Sequence, residues 1–76
     1  MKLGAWIEKE IREGRATGKK DAYAKLAAKT KATGGESVSS LTVENAAGGM
    51  RLKKYDKAKV ISLATGGEVT IPELCE

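Results

Sequence analysis

The chain has no histidine, no phenylalanine, and only one cysteine, one proline and one tryptophan in 76 residues. One cysteine, Cys75, cannot close an internal disulfide. Without histidine a zinc centre lacks its usual ligands. Glu73 and Glu76 surround Cys75 with negative charge, which does not activate a thiol. The serines and Cys75 stand in no nucleophile pattern, so no catalytic residue is identified. Glu8 and Glu10 are two apart on a helical stretch and do not face each other as an acid–base pair. The glycine pairs lack the spacing of a phosphate loop. An enzyme is therefore not expected, nor a metal or a cofactor.

Long apolar runs are missing too. None approaches the roughly 20 residues that span a bilayer, and the opening stretch is too short and interrupted for a signal core. A soluble protein without membrane contact is expected. The aromatics are Trp6, Tyr23 and Tyr55, too few for a surface that stacks single-stranded bases. A chain of this length holds one domain, residues 1–76, with one small core. Such cores supply only about 3–5 kcal/mol. With no disulfide or metal to help, association with a second copy is the remaining reinforcement.

What the chain does have is basic charge in two blocks. The net charge is +4. Residues 1–31 carry Lys2, Lys9, Arg12, Arg15, Lys19, Lys20, Lys25, Lys29 and Lys31 against four acids, and residues 50–59 carry Arg51, Lys53, Lys54, Lys57 and Lys59 against Asp56. The segment between them holds only Glu36 and Glu44. Basic flanks suit phosphates and a polar, nearly neutral centre suits base edges; the same lysines also fit an ordinary solvated surface.

Apolar spacing predicts four helices and a tail. Leu3, Trp6, Ile7 and Ile11 make one face of a first helix, with Glu8, Glu10 and Glu13 on its wet side and a loop from Gly14 to Gly18. Asp21 is the expected N-cap of a second helix over 22–29, in which Tyr23, Leu26 and Ala27 share a face. Ser37 or Ser39 can cap a third, stopped at Gly48 and Gly49, although the β-branched residues over 38–43 also allow a strand. The fourth, over 54–63, places Tyr55, Ala58, Val60 and Ile61 inward, with Leu63 and Ala64 at its end and a stop at Gly66 and Gly67. Val69, Ile71 and Leu74 remain, around a turn begun by Pro72. This tail either packs back on the core or pairs as an edge strand with a partner.

Local wording sharpens this outline. The string VSSLTVENAAGG at 38–49 resembles the recognition-helix segment of Cro and phage-repressor helix-turn-helix proteins: a valine, a capping serine, a core-facing β-branched residue at Val43 and a glycine turn at Gly48 and Gly49. The string YDKAKVISLATGGEVTIPEL at 55–74 resembles the last helix and the ATGGEVT ending of short Cro-like regulators, and MKLGAWI at 1–7 resembles their first helix. Two departures stand out. Ala27 lies eleven positions before Val38, farther than in the usual motif, so residues 31–37 look like an insertion in the turn. The bulky residue usual at Ala46 is also missing, a space that Trp6 or Tyr55 would have to fill.

The resemblance implies an all-α, lambda-repressor-like domain of four or five short helices, with an extended turn and a short C-terminal tail. It also implies a dimer on palindromic double-stranded DNA in the bacterial cytoplasm, associated with the nucleoid, that blocks a promoter. A recognition helix around 38–47 would enter the major groove. The residues placed at base edges are Ser39, Ser40, Leu41, Glu44 and Asn45. Asn45 suits adenine and Leu41 a thymine methyl, though Asn45 can equally cap the helix end and Leu41 can be core in a shifted register. Expected phosphate contacts are Lys19, Lys20, Tyr23, Lys25, Thr42, Arg51, Lys53 and Lys54, of which Tyr23 serves as well in the core. Val69, Ile71 and Leu74 are the expected dimer surface. No small-molecule ligand is implied. The alternatives are an excisionase- or antitoxin-like DNA binder, marked by added strands over 37–43, and a helical protein-interaction module such as an antirepressor.

Overall fold

Leu3, Trp6 and Ile7 recur at helical spacing and form the buried stripe of the first helix, α1 (Leu3–Arg12). In the computed structural model, which describes residues 1–33 and 37–75, four further helices follow: α2 (Lys19–Ala32), α3 (Ser40–Ala47), α4 (Tyr55–Ala64) and α5 (Ile71–Leu74). The domain is all-α; among the described residues the only strand-like feature is an isolated parallel bridge between Leu52 and Cys75. No helix among those residues is long and apolar enough to cross a membrane.

Glycine sets two of the stops. Gly49 (φ 105°) and Gly66 (φ 71°) follow α3 and α4 in the left-handed region, where a side chain is strained. Each lets the chain satisfy the last carbonyls of its helix: Gly49 N–H donates to Ala46 and Met50 N–H to Asn45, while Gly66 donates to Leu63 and Gly67 to Ser62, at 2.9–3.1 Å.

Helix α2 is the centre of the fold and packs against α1, α3 and α4. It buries Ala22, Leu26 and Thr30, successive steps of four residues. The core adds Leu3, Trp6 and Ile7 from α1, Val43 and Ala46 from α3, Ala58 and Ile61 from α4, and Val38, Leu52, Val69 and Leu74. Where α1 crosses α3 the backbones nearly touch, since a Cβ on Gly4 would lie 2.7 Å from the Ala47 carbonyl oxygen. Close approach of α1, rather than Tyr55, makes up for the small side chain of Ala46, because Tyr55 is 57% exposed.

Several expectations are corrected. Helix α2 begins at Lys19, after the extended backbone of Gly18, so Asp21 is not its N-cap. Asp21 sits in the first turn and reaches back to accept from the Thr17 backbone N–H at 3.0 Å. Helix α2 also continues through Ala32, so Lys31 and Ala32 belong to it and not to an inserted turn. Of the remainder of that segment, residues 34–36 lie outside the described residues. Thr30 ties the end of the helix to the chain that follows. Fully buried, its hydroxyl donates to Ala27 O at 2.6 Å and accepts from the Val38 N–H at 3.4 Å, tying the chain that returns towards α3 onto α2. Thr65 repeats the device after α4, donating to Ser62 O and accepting from Val69 N–H.

Glu10 is not on the wet side of α1 but 7% exposed, because Arg15 from the following loop folds over it at 2.6 Å. That pairing, with a second one to Glu13, raises the Arg15 guanidinium pKa further. On α4 the buried side is Ala58, Val60 and Ile61, while Tyr55 and Leu63 face outward. The tail packs back on its own core. Leu52 N–H donates to Leu74 O at 2.7 Å, and α5 is held by Glu73, which accepts from the Thr70 N–H and hydroxyl. Glu73 also pairs with the N-terminal ammonium, and the two interactions lower its pKa to about 2.

Candidate nucleic-acid interface

Ser39 sets the start of α3. With extended backbone it accepts from the Thr42 N–H at 3.2 Å, and its hydroxyl shares a 3.0 Å hydrogen bond with that of Thr42. From this start the helical repeat turns Val43 and Ala46 into the core and Ser40, Leu41, Glu44 and Asn45 outward. Leu41 is 63% exposed, which excludes the shifted register that would make it core. Asn45 does not use its side chain to cap the helix end; Gly49 and Met50 close α3 with backbone N–H groups.

A surface groove of about 800 Å³ runs beside α3. It brings together five of the residues singled out in the sequence: Lys19, Tyr23, Glu44, Asn45 and Arg51. Lys2 and Glu8 of the N-terminal segment line it as well. These two were not foreseen, since only the close crossing of α1 and α3 at Gly4 carries them there, and nothing local in the sequence signals a contact so distant along the chain. Tyr23 is half-buried against the core, so the groove and the core share it.

The expected phosphate-binding residues separate into two kinds. Lys19 and Lys20 are exposed in the first turn of α2, and Lys53 is exposed between α3 and α4; none of the three ammonium groups has an ion pair or hydrogen bond among the described residues. Lys54, at the N-cap of α4, is exposed too. Others already serve the fold. Lys25 donates to the Arg15 carbonyl at 2.8 Å and pairs with Asp21 at 3.0 Å. Together with the Thr17 N–H, Lys25 keeps the Asp21 carboxyl below its ordinary pKa. The Arg51 Nη1 donates to the carbonyls of Pro72 and Cys75, holding the end of α5. Thr42 and Ser39 spend their hydroxyls on the cap.

The expected dimer surface is not formed by its named residues. Val69 is 0% and Leu74 2% exposed within a single chain, and only Ile71 keeps part of its surface. The reason is the short helix α5, which turns the tail inward where an extended strand would have presented it. Large apolar side chains that do face outward are Leu41, Met50, Tyr55, Leu63 and Met1.

Charge placement at α2 is physically informative. A helix N-terminus carries partial positive charge, so Lys19 and Lys20 in the first turn work against the helix dipole. The only acid of that turn is Asp21, and its carboxylate is engaged by Thr17 and Lys25. Lys19, Lys20 and the helix N-terminus make this end of α2 locally positive, and Lys19 lines the groove beside α3 together with Lys2, Arg51 and the acids Glu8, Glu44 and Glu73. Chemically, the surface offers hydrogen-bonding and apolar side chains on a narrow helix with cations at its margin. Comparison with protein-family models, with curated proteins and with solved structures returns no match.

Proposed function

We propose that this chain is a sequence-specific double-stranded DNA-binding regulator of the Cro-like kind, which inserts α3 into the major groove as a dimer and blocks a promoter. The observation that carries the reading is the two-sided character of α3: Val43 and Ala46 fix it to the core, while Ser40, Leu41, Glu44 and Asn45 stand outward and Lys19 lines the same groove as Glu44 and Asn45. A helix about 10–12 Å across fits a major groove about 12 Å wide. The resemblance of residues 38–49 and 55–74 to Cro-like regulators supports the same reading. In it, Lys19, Lys20, Lys53 and Lys54 meet phosphates and hold the register, and the outward residues of α3 meet base edges. Two copies on a palindrome supply the affinity that one small domain lacks. With Val69 and Leu74 committed to the core, pairing of the copies is completed on the DNA.

The added strands that would mark an excisionase-like protein are not seen over 37–43, where α3 begins at Ser40. Fluorescence-anisotropy titration of the full chain on duplex from upstream of its own gene, beside a scrambled duplex at two salt concentrations, tests the proposal. Preference for the native duplex of about 100-fold or more supports specific regulation. Equal, salt-sensitive binding to both leaves a basic architectural protein. No binding at low salt points to a protein partner, for which exposed Leu41, Met50, Tyr55 and Leu63 are the available contacts.

A further inference from the structure

Helix α3 carries no lysine or arginine; Glu44 is its one charged residue. The commonest guanine contact from a major-groove helix is an arginine or lysine donating to O6 and N7, and α3 has no such group. Glu44 is exposed and its carboxylate makes no ion pair or hydrogen bond among the described residues, although Lys19 and Arg51 line the same groove. A carboxylate in that position is repelled by phosphates and lowers affinity for DNA in general. It becomes favourable only where a base offers a donor. The major groove offers two, the amino groups of adenine and cytosine. The adenine amino group lies between two acceptors, N7 of its own base and O4 of thymine, and both repel a carboxylate. The cytosine amino group has an acceptor on one side only.

Resting on the DNA-binding reading above, we infer that Glu44 is the specificity-determining residue. Its carboxylate accepts from a cytosine amino group, so that α3 reads a C·G pair through cytosine and makes no guanine contact. Leu41 and Asn45, one turn apart on the same outward face, bracket it with a thymine methyl and an adenine edge. Four residues of helix rise about 6 Å, and base pairs are spaced about 3.4 Å apart. The three contacts therefore fall within about two base-pair steps. Glu44 also acts as a filter, since sequences without the cytosine meet an unpaired carboxylate.

The test is selection from randomised duplexes with the full chain, followed by titration of the selected site, for the wild type, Glu44→Ala and Glu44→Gln. Circular dichroism establishes that each variant is folded. The wild type is expected to enrich a site with one C·G pair beside A·T pairs and to discriminate at that pair about ten-fold or more. Glu44→Ala and Glu44→Gln lose discrimination there and bind unrelated duplex more tightly. Replacing the guanine of that pair by 7-deazaguanine leaves wild-type binding unchanged. An unaltered selected site with Glu44→Ala, or loss of wild-type binding with 7-deazaguanine, overturns the inference while the DNA-binding reading stands. Retention of every sequence equally also overturns it and leaves a non-specific DNA binder. Retention of no duplex at all overturns both.

Discussion

The indole N–H of Trp6 donates to the Glu68 carboxylate at 2.8 Å, across sixty-two positions of sequence. Lys9 pairs with the same carboxylate, and the N-terminal ammonium donates to the Glu68 carbonyl at 3.1 Å. Glu68 lies in the ATGGEVT stretch and fastens α1 to the turn after α4. Its replacement by alanine is expected to lower the melting temperature, and by glutamine to lower it less, because glutamine retains an acceptor for the indole. Thermal melts of the two variants beside wild type check this, and equal melting of all three would show the contact to be idle.

The same carboxylate sets a pH dependence. The Lys9 ammonium first, then the Trp6 indole, holds Glu68 below the ordinary carboxylate pKa, and the N-terminal ammonium with Thr70 takes Glu73 from 4.5 to about 2. A carboxyl depressed on folding stabilises the native state above its unfolded pKa and loses that contribution as pH falls through the folded value. For Glu73 the loss runs between about 4.5 and 2. Melting temperature should fall with acidification across this window and fall less steeply in Glu68→Gln and Glu73→Gln.

Thr30→Val removes the partner that a buried N–H has among the described residues. The isostere fills the same space, but the Val38 N–H loses its acceptor, at a cost of about 1–3 kcal/mol. Thr30→Ser keeps the oxygen and should cost less than Thr30→Val. Urea denaturation of both variants decides this; a Thr30→Val midpoint at or above that of Thr30→Ser would contradict the hydrogen-bond account.

Gly4→Ala and Gly18→Ala should differ sharply. The added methyl at Gly4 meets the Ala47 carbonyl, a backbone atom, whereas nothing lies within 4 Å at Gly18. Overpacking at the α1–α3 crossing is expected to destabilise by roughly 1–3 kcal/mol, with Gly18→Ala near wild type in the same denaturation experiment.

What the sequence disclosed, and what it hid, follows from the range of each interaction. Ser39, the glycine stops and the apolar stripe Leu3, Trp6, Ile7 are local signals, and the helices they delimit were legible. The outward face of α3 followed once Ser39 set its start. Glu10 read as solvent-exposed because its partner Arg15 reaches it only after Gly14 turns the chain back. Tyr55 read as core because the periodicity of α4 does not show which side α2 covers. Val69 and Leu74 read as spare apolar surface because the contact of Leu52 with the tail is visible only in three dimensions. Arg51 read as a free cation for the same reason, its acceptors being carbonyls of Pro72 and Cys75 more than twenty positions on, whereas the pairing of Lys25 with Asp21 four positions before it is a local signal that was passed over.

Lys19 offers a test in which stability and binding move in opposite directions. Lys19→Glu replaces a cation by an anion in the first turn of α2 and should stabilise the fold by on the order of 0.5 kcal/mol. The same change should weaken duplex binding and lessen its salt dependence. Arg51→Ala, by contrast, should lower stability through the lost contacts with Pro72 and Cys75. Melting curves and anisotropy titrations on the same preparations separate the two effects.

Insertion of α3 into DNA is checked most directly by following backbone amide resonances of the full chain while duplex is added. Shifts concentrated at residues 39–45 and at Lys19, Lys20, Tyr23, Lys53 and Lys54, with the rest of α4 and α5 little changed, are the expected result. Shifts centred on Tyr55 and Leu63 with α3 unaffected, or none at saturating duplex in low salt, would contradict it.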